Sequence, residues 1–203
     1  MSDDGMVTFD SPEDLSSGGD NLVNAEGTFH CNGISFHINE KPTGKSYDGW
    51  TLLAKVVAGT DPSQIGKQLT IYMKKPTADK PYFQKLRAAV LMACGFMKIE
   101  DFGKSISFNP KEPGVFQFVA KVKADEPEEG KKPFYSLEFL NIYHVDDPEV
   151  KDIPKCAESL SFIDPSRRYA DPAIFERLKE IKKGSSQKKD GPDEGATPAD
   201  LGI

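Results

Sequence analysis

Hydrophobic periodicity along the chain limits the folds open to it more than any other property. Three apolar runs with strand character come first, one run with helical spacing follows, and two more strand-like runs complete the pattern. Alternation with a period of two indicates a half-buried strand, whereas apolar residues that recur every three or four positions indicate an amphipathic helix. The sequence therefore predicts three strands, one helix and two strands, in that order.

The first three strands are predicted from short aromatic and β-branched runs. Residues Gly27 to Ile38 form the first, with Gly33 in the middle as a point of bending or bulging. Residues Trp50 to Val57 are almost wholly apolar and form the second. Residues Gln68 to Met73 alternate, with Leu69 and Ile71 on one face, and form the third.

Helical spacing begins at Pro81 and ends at Gly95, a residue well suited to stop a helix. Two further strands, Val115 to Val122 and Phe134 to Tyr143, are separated by a charged loop and predict a long hairpin rich in aromatic residues. A last amphipathic helix is predicted from Pro172 to Lys182.

Five strands with a helix between the third and fourth are the order of the OB-fold, a small, partly open barrel that binds oligonucleotides or oligosaccharides. Other small barrels and α+β sheets share this order. We expect a mostly β, five-stranded OB-fold-like barrel with a C-terminal helix over residues 21–183. Residues 1–20 are predicted to be a disordered acidic arm and residues 184–203 a disordered acidic tail, because their composition cannot bury enough apolar surface.

Charge is distributed unevenly along the 203 residues. Residues 1–26 carry −7 and residues 190–203 carry −4, and neither segment contains Lys or Arg. Because the whole chain carries −6, residues 27–189 carry +5. A basic body can hold a polyanion, and an acidic segment can compete for the same surface or recruit a partner.

Compartment and redox state follow from what the sequence lacks. No apolar run is long enough to cross a bilayer, and the acidic N-terminus has neither the basic nor the apolar region of a signal peptide. Cys31, Cys94 and Cys156 are odd in number and far apart, which predicts reduced, partly buried thiols. We expect a cytoplasmic protein that makes no membrane contact, or one in the host cytoplasm if a phage encodes it.

The chain resembles the single-stranded DNA-binding proteins encoded in phage replication and recombination modules. The resemblance rests on the strand order, the Gly-Thr-Phe opening at residues 27–29, the helix after the third strand and the acidic C-terminus. It implies single-stranded DNA as the partner, with replication or recombination proteins docking on the tail. Tails in that family often close an acidic run with Phe, whereas this chain ends in Asp200-Leu201-Gly202-Ile203.

Binding of a single strand without sequence preference requires cations for the phosphates and aromatic faces for the bases. Basic and aromatic residues that interleave along the predicted strands and loops are the candidates for this role: Lys41, Lys45, Tyr47, Trp50, Lys55, Tyr72, Lys74, Lys75, Lys121, Lys123, Lys131, Lys132 and Tyr135. Phe134 stands beside the last of these.

Several of these aromatic residues also admit a packing role. Trp50 opens an apolar strand and could belong to the core, whereas Tyr72 faces away from Leu69 and Ile71 and is predicted to be exposed. Four further aromatic or aliphatic residues of the hairpin are expected in the core: Phe116, Phe118, Leu137 and Phe139.

No arrangement of residues indicates catalysis. His30, His37 and His144 have no Cys or carboxylate at metal-ligand spacing, and the chain contains neither a GxxxxGK[ST] phosphate loop nor a GxSxG nucleophile motif. We therefore expect a protein that is not an enzyme and uses no cofactor or metal. The favoured function is coating of single-stranded DNA in replication or recombination. The alternative is a phage or virion-associated protein-interaction adaptor. The sequence leaves homo-oligomerisation open.

Overall fold

A computed structural model of the chain describes residues 21–39, 49–78, 80, 82–101, 104–105, 116–126, 133–169 and 173–183. The predicted acidic arm and acidic tail lie outside the described residues. The loop at residues 40–48 and the centre of the later hairpin loop, residues 127–132, lie outside them as well.

Five antiparallel strands form one sheet that curls into a half-barrel. They are β1 (Gly27–Asn39), β2 (Gly49–Gly59), β3 (Gln68–Lys74), β4 (Gln117–Ala124) and β5 (Tyr135–Tyr143). Their order across the sheet is β3-β2-β1-β4-β5, so the first strand lies in the centre. The prediction of a mostly β domain with five strands is confirmed, with boundaries that differ by one or two residues.

The concave face of the half-barrel holds the main core. Alternate residues of every strand point into it, among them Phe29, Leu52, Ile71 and Phe118, all of which are buried. The burial of apolar side chains from five strands against one another supplies the main driving force for the fold. The same alternation turns the intervening residues to the convex face.

One helix closes the concave face. Helix α1 (Tyr82–Ala93) lies between β3 and β4 in sequence, as predicted, and buries Leu86 and Val90 against the sheet. It ends at Gly95, which has a φ of 71° and donates its N–H to the Met92 carbonyl at 3.0 Å. Glycine adopts this left-handed conformation without steric cost, which explains why the helix stops there.

A register shift between Gly33 and Ser35 confirms the predicted irregularity in β1. A Cβ atom on Gly33 would lie 1.9 Å from the Phe116 ring, so only glycine allows this close approach. A second irregularity was not predicted. Leu140 in β5 has a φ of 64°, and the register between β4 and β5 shifts nearby.

The prediction that Phe139 belongs to the core is wrong. Its side chain is 46% exposed, because the irregular backbone at Leu140 interrupts the alternation of β5. The Phe139 ring contacts Tyr82 edge-on, with ring centroids 5.9 Å apart. Phe116 and Phe118 are buried as predicted, and Leu137 is half-buried against the core.

The segment after β5 folds back over the convex face, which the sequence did not predict. It contains α2 (Ala157–Leu160), α3 (Ala173–Lys183) and two short 3-10 helices, Pro148–Val150 and Pro165–Arg167. Val119 points outward from β4 and packs there in a second core cluster. Its buried neighbours in that cluster are Val145, Val150 and Ile163.

The predicted C-terminal helix corresponds to α3, within one residue at each end. Phe175 in this helix is buried and contacts Tyr169 and His144, at ring-centroid distances of 5.8 Å and 6.3 Å. Within the described ranges, no helix has the length and apolar character needed to cross a membrane.

Candidate nucleic-acid interface

The convex face of the sheet has two parts that differ in what lies on them. We call the outward-facing residues of β2, β3 and the second part of β1 the open half. The outward-facing residues of β4, β5 and the first part of β1 form the covered half, because the segment of residues 144–169 packs on them.

Three residues form a row across the open half. His37 pairs with Thr51, and Thr51 pairs with Tyr72, so the three side chains stand side by side on neighbouring strands. Neighbouring strands are about 4.8 Å apart, which places His37 and Tyr72 about 10 Å from each other. Tyr72 is 52% exposed, and its neighbours Leu69 and Ile71 are buried. The predicted exposure of Tyr72 is confirmed.

Lysines flank this row. Lys74 follows Tyr72 by two residues on the same face and is exposed, and Lys75 continues the chain beyond the strand. Lys55 is exposed on β2, opposite Gln68. Between Gly49 and Lys75 the chain holds four lysines and a single acidic residue, Asp61. The open half therefore carries positive charge around an exposed aromatic ring.

Asp61 does not offset this charge at the centre of the open half. It caps the 3-10 helix Pro62–Gln64, where its carboxylate accepts the Ser63 N–H at 2.9 Å. Hydrogen bonds from Ser63 hold the pKa of this carboxyl below its usual value. Among the described residues, no ion pair involves Lys55 or Lys74.

Lysines at the edge of the covered half have a different environment. Lys121 Nζ lies 2.8 Å from a Glu138 carboxylate oxygen, and this contact lowers the pKa of Glu138. Lys123 is exposed nearby, and Glu26 accepts the Ala124 N–H at 2.9 Å. Lys121, Lys123, Glu26 and Glu138 line one polar groove, so its positive and negative charges balance.

Buried polar contacts fix residues 144–169, which we call the cover, to the sheet. His30 is fully buried, with Nε2 2.9 Å from Gln117 Oε1, and its Nδ1 accepts the Cys156 N–H at 3.1 Å. Gln117 in turn donates to the Ser159 carbonyl, and Asn32 donates to the Ser159 hydroxyl at 3.0 Å. Because Nδ1 accepts a backbone N–H, the imidazole is neutral and carries its proton on Nε2.

His144 is held in the same manner at the start of the cover. Its Nδ1 accepts the Asp146 N–H at 3.1 Å, and its Nε2 lies 3.0 Å from the Arg167 carbonyl. Burial lowers the pKa of His144 to about 4, although the nearby Asp146 carboxylate acts in the opposite direction. Burial also lowers the pKa of His30. Both histidines therefore serve as neutral structural groups.

The predicted candidate residues do not all lie on one surface. Lys55, Tyr72 and Lys74 share the open half, with Lys75 at its end, and Lys121 and Lys123 lie at the edge of the covered half. Trp50 is half-buried on the concave side, where its ring contacts Phe36 and lies 4.3 Å from the Arg87 guanidinium carbon. Tyr135 also packs against the core.

Five candidates lie outside the described residues, namely Lys41, Lys45, Tyr47, Lys131 and Lys132. His37 and Thr51 were not among the residues predicted for the interface. His37 is exposed, and Thr51 stands between it and Tyr72. The period of two in β2 could have indicated Thr51. The bulge at Gly33 reverses the alternation of β1, so periodicity alone does not predict that His37 faces outward.

The structure offers no arrangement for metal chemistry among the residues it describes, since no three His, Cys, Asp or Glu side chains come together. All three cysteines are free thiols, and burial raises the pKa of Cys31 and Cys94.

Comparisons with protein-family models, with curated proteins and with solved structures found no match to this chain.

Proposed function

We propose that this chain is a non-enzymatic protein that binds single-stranded DNA, largely independently of sequence, and covers exposed strands during replication or recombination. The observation that carries the proposal is the open half of the convex face. There an exposed Tyr72 stands among Lys55, Lys74 and Lys75, with no described carboxylate paired to Lys55 or Lys74. The resemblance to phage proteins supports a role in replication or recombination.

The strand order supports an OB-fold. In that fold the face of the second and third strands binds oligonucleotides, together with the loops between strands one and two and between strands four and five. Here β1 pairs with both β2 and β4, and α1 connects β3 to β4. The open half is the corresponding face. The corresponding loops contain the remaining candidates, which are Lys41, Lys45 and Tyr47 in one and Lys131 and Lys132 in the other.

The chemistry of the open half suits a single strand better than a duplex. A base that stacks on an aromatic ring contributes about 1–3 kcal/mol, and only an unpaired base can expose its face to Tyr72. The lysines attract phosphates at any sequence and give an affinity that depends on salt. Thr51 pairs with Tyr72, and Thr70 precedes Tyr72 by two residues on the same face, so two hydroxyl groups lie on the surface near the ring.

Binding to oligo(dT) across a range of salt concentrations tests the proposal. We expect the logarithm of the association constant to fall linearly with the logarithm of salt, with a slope near −0.7 for each phosphate contacted. Duplex DNA of equal length should bind more weakly. A parallel measurement with oligo(U) gives the preference for DNA over RNA. Failure to bind oligo(dT) at low salt, or a preference for duplex, would contradict the proposal and favour the adaptor function.

A pair of aromatic substitutions locates the site. Tyr72→Ala should raise the Kd for oligo(dT) about 5- to 150-fold, which corresponds to the loss of one stacked base. Phe162→Ala is the matched control, because Phe162 is 65% exposed but belongs to the segment on the covered half. Its Kd should stay within about twofold of the unaltered protein. Equal losses of oligo(dT) affinity in both variants would show that the open half is not the binding site.

A further inference from the structure

The open half has a second candidate ligand within the same chain. We infer that the acidic arm, residues 1–20, binds the open half and competes with the nucleic acid there. The competition with nucleic acid rests on the proposed function. The contact between the arm and the sheet does not, and it can be measured without DNA.

The point of attachment of the arm carries the inference. Asn21 accepts the Gln68 N–H at 2.7 Å, and Val23 donates its N–H to the Gln68 carbonyl at 3.0 Å. Val23 is buried, and Asn24 accepts a hydrogen bond from Lys67 at 2.5 Å. The chain is therefore fixed to the free edge of β3, the strand that carries Tyr72 and Lys74.

Distance permits the contact. Gln68 and Tyr72 are four residues apart on β3, which is about 13 Å along a strand. Twenty residues can span at most about 70 Å, and Asp14, seven residues before Asn21, can still lie about 24 Å from the point of attachment. The acidic residues from Asp3 to Asp14 can therefore reach Tyr72 and Lys74. Tethering at this point makes the contact intramolecular, with an effective concentration in the millimolar range for short connections.

Charge distinguishes the arm from the tail, which has the same length. Residues 1–20 hold six acidic residues and no basic one, whereas residues 184–203 hold four acidic residues together with Lys188 and Lys189. The tail also starts from a different place. It follows α3, whose Lys179 pairs with Glu149 at 3.1 Å in the segment on the covered half. Complementary charge and proximity both favour the arm as the ligand of the open half.

The test uses two full-length variants with equal changes of charge. In the arm variant, four acidic residues are neutralised: Asp10→Asn, Glu13→Gln, Asp14→Asn and Asp20→Asn. In the tail variant, four others are neutralised: Asp190→Asn, Asp193→Asn, Glu194→Gln and Asp200→Asn. Both variants have the same net charge, so a general effect of charge would be equal in the two.

We expect the arm variant to bind oligo(dT) about two- to fivefold more tightly than the unaltered protein at low salt, because the open half is free for a larger fraction of time. The gain should vanish near 0.15 M salt, where the Debye length is about 8 Å. The tail variant should gain less. Equal gains in both variants, or no gain in the arm variant, would overturn the inference.

A measurement without DNA separates this inference from the proposed function. Backbone amide resonances of Thr70, Tyr72 and Lys74 should shift between the unaltered protein and the arm variant, and should not shift in the tail variant. Unchanged resonances on β3 in the arm variant would overturn the inference even if DNA binds. Shifted resonances in a protein that binds no oligo(dT) would support the contact and contradict the proposed function.

Discussion

The two halves of the convex face belong to one sheet, yet they use the same kinds of residue for different purposes. On the covered half, His30 and Val119 are buried and hold residues 144–169 in place. On the open half, His37 and Thr51 occupy equivalent outward positions, and His37 is exposed. The difference shows that strand alternation decides which side a residue faces, while a distant segment decides whether that side is core or surface.

The largest expected effect comes from placing a charge on each half. Val119→Asp would bury an unpaired carboxylate in the second core cluster, so we expect a loss of more than about 3 kcal/mol in the free energy of unfolding. Thr51→Asp on the open half should cost less than about 1 kcal/mol. Urea unfolding of the two variants measures both values. Similar losses would show that the open half is also covered.

Thr51→Asp also tests whether DNA binds the open half. A carboxylate between His37 and Tyr72 would repel phosphates, so this variant should lose oligo(dT) affinity while it remains folded. Unchanged affinity in the folded variant would be incompatible with DNA on the open half.

The next effect is a dependence of stability on pH that originates in the covered half. The pKa of His144 is about 4 in the folded protein, against about 6.5 for an unfolded histidine. Between these values the unfolded chain takes up a proton that the folded chain does not, so stability falls as the pH falls from about 6.5 to 4. His144 contributes at most about 3 kcal/mol to this loss, and His30 acts in the same direction.

Histidine substitutions separate this contribution from the general effect of acid. His144→Gln should be less stable than the unaltered protein at pH 7 but should lose less stability on acidification to pH 4.5. Asp146 and Arg168, which are the charged groups that face His144, remain in this variant. His37→Gln is the control and should keep the full pH dependence, because His37 is exposed. If the stability of the His37 and His144 variants depends on pH in the same way, His144 is not the source of this loss of stability.

The smallest expected effect distinguishes the lysines of the two halves. Lys74→Ala with Lys75→Ala should weaken oligo(dT) binding at all sequences and reduce the salt slope by about 0.7 for each phosphate that the variant no longer neutralises. Lys121→Ala with Lys123→Ala should change the affinity less than about twofold, because Lys121 already pairs with Glu138. A larger effect from the second pair would extend the interface to the covered half.

The strands were predictable because local periodicity records which side of a sheet is buried. Leu69, Ile71 and Met73 alternate with Gln68, Thr70 and Tyr72, and this pattern alone gave the exposure of Tyr72. Gly33 and Gly95 were also recognised, since each occupies a position that only glycine tolerates well. Phe139 was misplaced because the left-handed backbone at Leu140 leaves no mark in the sequence.

The division of the convex face could not be predicted. The hydrogen bonds of His30 to Gln117 and Cys156 join parts of the chain that are far apart in sequence, and no periodicity reports such contacts. Val119 was predicted only as part of a strand, and nothing local indicated that its outward side is core. The position of the candidate site therefore depends on residues 144–169, which cover one half of the convex face and leave the other half exposed.

The central position of β1 has a consequence for the order in which the chain folds. Phe29 pairs with Gly59 in β2 and with Ala120 in β4, so one neighbour of β1 is synthesised soon after it and the other much later. Hairpins built from local contacts form quickly, whereas pairing across a long separation is slow. Until β4 leaves the ribosome, β1 is a hydrophobic edge strand with unpaired backbone groups, the kind of surface that aggregates or binds chaperones. We therefore expect this protein to be most vulnerable during synthesis, between the completion of β3 and the arrival of β4.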